Sequence, residues 1–333
     1  MSMSLRIIVL TLASSTVAIA AIAQSDAALR DKANRGDANA QYELGKKYVT
    51  GKGEPQDFVQ GAMWYRKAAD QGYADAQLSL GAMYARGHGV PPDNVQAVFW
   101  MRKAADQGGA FAQSALGLLY AIGAVVPQDY AQSVLWFRKA ADQGLAEAQF
   151  NLGVDYEKGL GVPKDLAQAA IWYRKAADQG IAEAQAELGA MYAAGEGVPL
   201  DFAKAILWLR KAADQGDAEA QCGLGLMYYK GLGVTKDDAQ AAVWFRKAAD
   251  QGNTDGQNLL GTLYAVGEGV PLDHGEAYFW LELGSAGKPV VTVESDLSAV
   301  RDGVASHLSS TELLQAQERV RKWTEEHAAK TNP

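Results

Sequence analysis

From Ala40 onward the apolar positions fall into paired helical stripes. Ala40, Leu44 and Tyr48 recur at i, i+4 and i+8, which predicts one face of a helix, here called helix A. Gly51 follows as its stop, because glycine takes a left-handed backbone without a Cβ clash. Gly53 and Pro55 keep the next loop short. Asp57 stands where it can cap a second helix, helix B, and Gln60 three residues on completes a capping-box pair. Helix B carries Ala62, Trp64, Ala68 and Ala69, and ends at Gly72. The same polar and apolar order then begins again.

Tryptophan marks the period. Trp64, Trp100, Trp136, Trp172, Trp208, Trp244 and Trp280 are each 36 residues apart, and only Trp323 stands outside the series. A fixed period of this size predicts a solenoid, in which repeats extend one stacked core instead of founding new domains. The capping pairs continue with Gln96, Gln132, Gln168, Gln240 and Glu276; Lys204 is the exception. The tryptophans, at one phase in every repeat, read as core residues. A Leu-Gly pair such as Leu80-Gly81 sits mid-helix, where Gly costs about 1 kcal/mol against Ala, so a close helix approach is expected there. Four repeats depart from the pattern. Gly123-Ala124-Val125 loses one loop glycine, which predicts a stiffer loop; Thr235 replaces a proline; Glu54 replaces a valine; and Glu282-Leu283-Gly284-Ser285 replaces the usual Arg-Lys-Ala-Ala.

The ends differ from the repeats. Arg6 precedes an apolar run from Ile7 to Ala23 that closes on Ala21-Ile22-Ala23, the pattern of a secretory signal peptide cleaved after Ala23. Ala28 to Gly36 aligns with the second half of a helix B, and residues 24–36 are expected to form an N-terminal capping helix. The repeats occupy 37–72, 73–108, 109–144, 145–180, 181–216, 217–252 and 253–288. Residues 289–333 are expected to form C-terminal capping helices and a tail. One capping helix is expected over residues 295–307. Ser309 and Glu312 form a capping box for the last helix, whose Leu313, Ala316, Val320 and Trp323 make an apolar stripe. That stripe is expected to cover Leu283.

Charge and composition narrow the chemistry. A net charge of −8 argues against nucleic acid as the partner. The single cysteine, Cys222, leaves no disulfide framework or multi-cysteine metal site and reads as a small core hydrophobe. The four histidines offer no i,i+4 pair for zinc. Ser285-Ala286-Gly287-Lys288 matches the S-x-x-K nucleophile motif, but its usual companion motifs are missing. The Arg-Lys-Ala-Ala-Asp runs read as solvated surface charge, with Arg66 four residues before Asp70. No catalytic residue, metal or cofactor is expected.

The phrase from Ala40-Gln41-x-x-Leu44-Gly45-x-x-Tyr48 to Trp64-x-Arg66-Lys67-Ala68-Ala69-Asp70-Gln71-Gly72 resembles the Sel1-like repeat, a relative of the tetratricopeptide repeat, over residues 28 to 288. The resemblance implies an all-α, right-handed α/α superhelical solenoid that serves as a protein-interaction scaffold. It also implies a concave groove lined by helices A. Alignment of the Leu-Gly-x-x-Tyr core puts Tyr42, Leu78, Ser114, Phe150, Ala186, Cys222 and Asn258 in one groove row. Lys46, Ala82, Leu118, Val154, Ala190, Leu226 and Thr262 form a second. Three residues before the first row stand Asn39, Asp75, Phe111, Glu147, Glu183, Glu219 and Asp255, read as a mostly acidic ledge. An apolar floor with an acidic edge suits a protein or peptide partner carrying basic residues. The expected location is the periplasm or the outside of the cell, with no stable membrane anchor after cleavage. The competing readings are a cell-wall or carbohydrate binder, with the tryptophans as stacking platforms, and a β-lactam-interacting enzyme.

Overall fold

The computed structural model describes residues 24–285 and 297–331. The signal-peptide segment 1–23, residues 286–288 of the seventh repeat, Lys288 of the S-x-x-K motif and the first residues of the C-terminal segment lie outside the described residues. Among the described residues every regular element is a helix.

The chain forms two compact units. One holds the described residues up to Asp155 together with Gly159–Pro163; the other holds Tyr156–Lys158 together with the described residues from Lys164 on. Helix α1 spans residues 24–34. Helices A are α2 (Ala38–Thr50), α4 (Ala74–Arg86), α6 (Ala110–Ile122), α8 (Ala146–Lys158), α10 (Ala182–Ala194), α12 (Ala218–Lys230) and α14 (Thr254–Val266). Helices B are α3 (Phe58–Asp70), α5 (Asn94–Asp106), α7 (Tyr130–Asp142), α9 (Leu166–Asp178), α11 (Phe202–Asp214), α13 (Asp238–Asp250) and α15 (His274–Ser285). Helices α16 (Leu297–Ala305) and α17 (Ser310–Thr331) follow. From α2 to α7 and from α9 to α15 consecutive helices pack against one another, and α16 and α17 both pack on α15, the architecture of an α/α solenoid.

Local chemistry sets the helix ends. Gly51, with φ 70°, ends α2 in the left-handed region, and Gly87 (φ 71°) does the same for α4. Asp57 accepts hydrogen bonds from the backbone N–H groups of Val59 and Gln60 at the start of α3. The expected reciprocal half of this capping box has no donor to serve. The Asp57 N–H already donates to the Tyr48 carbonyl of helix A, and the equivalent Asp N–H does so in every repeat, to Tyr264 in the last. Freed from that duty, Gln96 and Glu276 accept instead from the indole N–H of Trp100 and Trp280, at 3.2 and 3.1 Å. In the third-repeat loop, Val125 takes the place of a left-handed glycine, yet no described non-glycine residue has a positive φ, so that loop follows another backbone path.

Packing explains the mid-helix glycines. A Cβ on Gly81 would lie 2.6 Å from the Met101 side chain and 2.9 Å from the Ala97 carbonyl; on Gly225 it would lie 2.6 Å from Phe245. Here each glycine lets helix B pack onto bare helix A backbone. The seven tryptophans of the 36-residue series are all buried. In the second unit Arg210 donates to the Tyr228 hydroxyl of the next repeat and lies 5.2 Å from the Trp244 ring centroid, while Lys247 of that next repeat lies 3.9 Å from the same centroid. Arg66, Arg102, Arg174 and Arg246 hold the same kind of contact with the following Tyr and Trp. The conserved-phase arginine is therefore a staple between repeats, where the sequence suggested a solvated i,i+4 partner of Asp70.

A second polar network was not legible as such. Gln41, Gln77, Gln113, Gln149, Gln185, Gln221 and Gln257 each donate to a carbonyl at the end of the preceding helix B, or of α1 for Gln41. The side-chain oxygens of Gln41, Gln77, Gln113, Gln185 and Gln221 accept from the glutamine after the next helix B, as Gln185 does from Gln215 at 2.8 Å. Each of the helix-end carbonyls also accepts from the backbone N–H of the glycine three residues on, so the glutamine occupies its second lone pair.

The ends are capped as the pattern predicts. Helix α1 packs Leu29 and Ala33 on Leu44 and Trp64. The Ser309 backbone N–H donates to Glu312, whose own N–H donates to the Ser309 hydroxyl, a complete capping box for α17. Val320 and Trp323 pack on the core around Leu283, which is buried.

Candidate functional site

The helix A surface is where the residue type changes from repeat to repeat while the frame stays constant. In the first unit Tyr42 is half-buried and stacked at 5.5 Å on Tyr65, a helix B residue, and at 5.2 Å on Tyr73. Leu78 is half-buried against the cluster of Met101, Ala112 and Trp136. Phe150 and Val154 are half-buried, and Leu118 is exposed. Ser114 is buried. In the second unit Ala186, Cys222 and Asn258 are buried, so this row packs between neighbouring helices there instead of forming an open floor. The second row remains at the surface: Ala190 is exposed and Leu226 half-buried.

Of the acidic ledge, Asp75, Glu147, Glu183 and Glu219 are exposed. Asp255 is not: it is 7% exposed and belongs to the ledge only in sequence. Its helix α14 is enclosed, with residues 255 to 261 buried in succession, and α16 packs beside it. The last repeat therefore contributes no open acid at this position.

The second unit contains a pocket of about 350 Å³ between α10 and α12. Ala190 and Ala194 line one side, Leu226 and Met227 the other, and Leu209 of α11 the back. The volume arises because α10 is rich in alanine and α12 has Gly223 where a larger residue, Leu259, stands one repeat later. Glu187 and Glu219 are on its wall, with Lys230 at one end. Burial pushes the Glu187 carboxyl up to about 7, helped by the nearby negative charges of Glu157 and Glu219. Glu187 lies one residue from the predicted row and was missed. Its signal was a charged residue directly before the invariant core leucine.

Other candidates carry little chemistry. Cys222 is buried in the core, and that burial pushes its thiol up to about 12, which disfavours the thiolate. The Ser285 hydroxyl donates to the Glu282 carbonyl. Among the described residues no group of three His, Cys, Asp or Glu side chains is placed to hold a metal, and no helix is long and apolar enough to cross a membrane. Asp155 is 4% exposed and burial alone pushes it up to about 7; the equivalent position holds Met191, Met227 and Leu263 in later repeats.

A family model described as Sel1 repeat matches seven successive segments: 38–73, 74–109, 110–145, 146–181, 182–217, 218–253 and 254–287. Among solved structures, a Sel1 repeat protein from Oxalobacter formigenes is 41% identical, with 81% of this chain and 78% of that one covered and a TM-score of 0.65. The protein c5321, a protective antigen present in uropathogenic Escherichia coli strains and displaying an SLR fold, is 29% identical over 91% of this chain and 87% of its own, with a TM-score of 0.52. No curated protein gives a significant match.

Proposed function

This chain belongs to the Sel1 repeat family, and we propose that it is a non-catalytic scaffold that binds a protein or peptide partner along its helix A surface. The fold is of the kind that mediates protein–protein interaction. The observation that carries the proposal is the α10–α12 surface, where exposed Glu219 lines an apolar pocket and exposed Glu183 stands one helical turn before the lining residue Glu187, within an otherwise constant frame. Charge of one sign beside apolar area favours a partner segment with basic residues. The basic and apolar order of residues 6–23 supports a periplasmic or secreted scaffold. Burial of the tryptophan row removes the surface a sugar-stacking reading requires.

Crosslinking with mass spectrometry in the native cell tests the proposal. Crosslinks from a partner should map to α10 and α12. With that partner in hand, reversing Glu183 and Glu219 to Lys should leave helical content intact and slow association severalfold, with a weaker salt dependence than the parent chain. Crosslinks confined to helices B or α17, with unchanged association of the reversed variant, would place the binding surface elsewhere.

A further inference from the structure

The pocket between α10 and α12 is too small for a folded element and large enough for one long side chain. Its walls are apolar except at Glu187, Glu219 and Lys230. The groups facing Glu187 are Glu157 and Lys158 at the end of α8 and Asp217 and Glu219 at the start of α12, with Lys230 at the far end of the pocket. Acids outnumber bases around the opening. An anionic side chain would meet like charge there, and a purely apolar one would bury Glu187 without a partner. A methylene stem ending in a cation satisfies both surfaces, because such side chains lay their stems on apolar area while the charged end seeks a carboxylate.

We propose that this pocket receives a single lysine or arginine side chain of the bound segment, its stem on Ala190, Leu226 and Met227 and its cationic end on Glu187 and Glu219. The proposal rests on the reading of the helix A surface as the partner-binding face and adds the chemistry of the anchor. The arrangement is particular to this pair of helices. In the first unit Glu43 occupies the position equivalent to Glu187, but Tyr42, Tyr65 and Tyr73 cluster together beside it. One repeat after Gly223 the position is Leu259, a buried core residue. Glu187 also sets a pH signature. Its carboxyl holds a proton up to about 7, so a cation that enters must displace that proton near neutral pH.

The probes are Nα-acetyl-lysine methylamide and Nα-acetyl-arginine methylamide, with Nα-acetyl-norleucine methylamide as the uncharged control, titrated into the chain with methyl-labelled Leu and Met. The cationic probes should shift the Leu226 and Met227 methyl signals and bind at least tenfold more tightly than norleucine. Affinity should fall severalfold from pH 8 to pH 6, and that slope should vanish in Glu187→Gln along with most of the affinity. Gly223→Leu, which copies the residue of the next repeat, should fill the pocket and abolish the shifts at unchanged helical content. Equal binding of norleucine, or full binding with the same pH slope in Glu187→Gln, overturns the proposal. If partner crosslinks map to α10 and α12 while the cationic probes leave the methyl signals unmoved, the scaffold reading survives and this anchor does not. If the probes bind but crosslinks lie elsewhere, the pocket is a cation site outside the partner surface, and both the helix A reading and this anchor fail.

Discussion

Within the second unit, the helices B of the inner repeats and the last helix B treat the same position in opposite ways. The residue before the tryptophan is Ile171, Leu207 and Val243 in successive repeats, exposed by 48, 51 and 49%. In the last repeat it is Phe279, exposed by 5%. The difference follows the charge pattern. Inner repeats follow the tryptophan closely with Arg and Lys, which lean on indole rings; the last has Glu282 and Leu283 instead. Arg319 of α17 then lies 4.4 Å from the Phe279 ring centroid and pairs with Glu276 at 2.6 Å, while Arg301 pairs with Glu282 at 3.3 Å. An inner repeat would meet Arg319 with its own arginine and lysine. The cap thus meets the final repeat through one charge reversal, arginine to Glu282, and one lysine replaced by Leu283, and the inner repeats present like charge to Arg319 at those positions.

The comparison yields four tests. The largest effect is expected from Trp172→Ala in an inner repeat. Truncating a buried indole should cost about 3–5 kcal/mol in urea unfolding. Parent-like stability there would mean that the inner tryptophans do not hold the stack.

Asp155→Leu should act in the other direction. The native carboxyl titrates near 7 against an ordinary 3.8, so the folded state holds a proton that the unfolded state has released. The contribution of this one carboxyl to parent stability is therefore greatest below about pH 4 and falls as pH rises through the interval up to 7, by an amount on the order of 4 kcal/mol. Unfolding at pH 5 and pH 8 should show the variant's advantage growing with pH. A constant difference between the two would show that desolvation of the charge is not the cause.

Trp323→Ala in the cap should cost about 2 kcal/mol, less than the inner truncation, because Trp323 is only half-buried, between His327 and the edge at Gly252. Hydrogen exchange should show α16 and α17 losing protection before α13. Uniform loss across the second unit would mean that the cap is no separate element. The smallest effect is expected from Gln185→Leu, about 1 kcal/mol, since it leaves the Ala177 carbonyl with the Gly180 N–H as its donor and takes the acceptor from the Gln215 amide. Thermal melts of this variant beside Gln215→Ala and the double variant should reveal coupling between the two glutamines; strict additivity would break the network reading.

The sequence by itself determined the helix pairs, their ends and the two caps. Those features depend on residues close in the chain: Gly51 allows a left-handed turn, Asp57 reaches N–H groups two and three residues away, and Ser309 and Glu312 satisfy each other. The 36-residue period then required stacking, since one helix pair cannot bury its own apolar face. Tertiary structure decided what depends on distant partners. Arg210 meets a tyrosine 18 residues on, and Gln215 meets a glutamine 30 residues back, so neither role shows in a local pattern. The candidate site divides the same way. The exposure of Glu183 and Glu219 agreed with their place in the repeat, but the depth of Ala186 and Cys222, the closure over Asp255 and the pocket at Glu187 were set by the size of side chains on the adjoining helices. Burial is a property of the neighbours a residue is given, and only the packed stack assigns them.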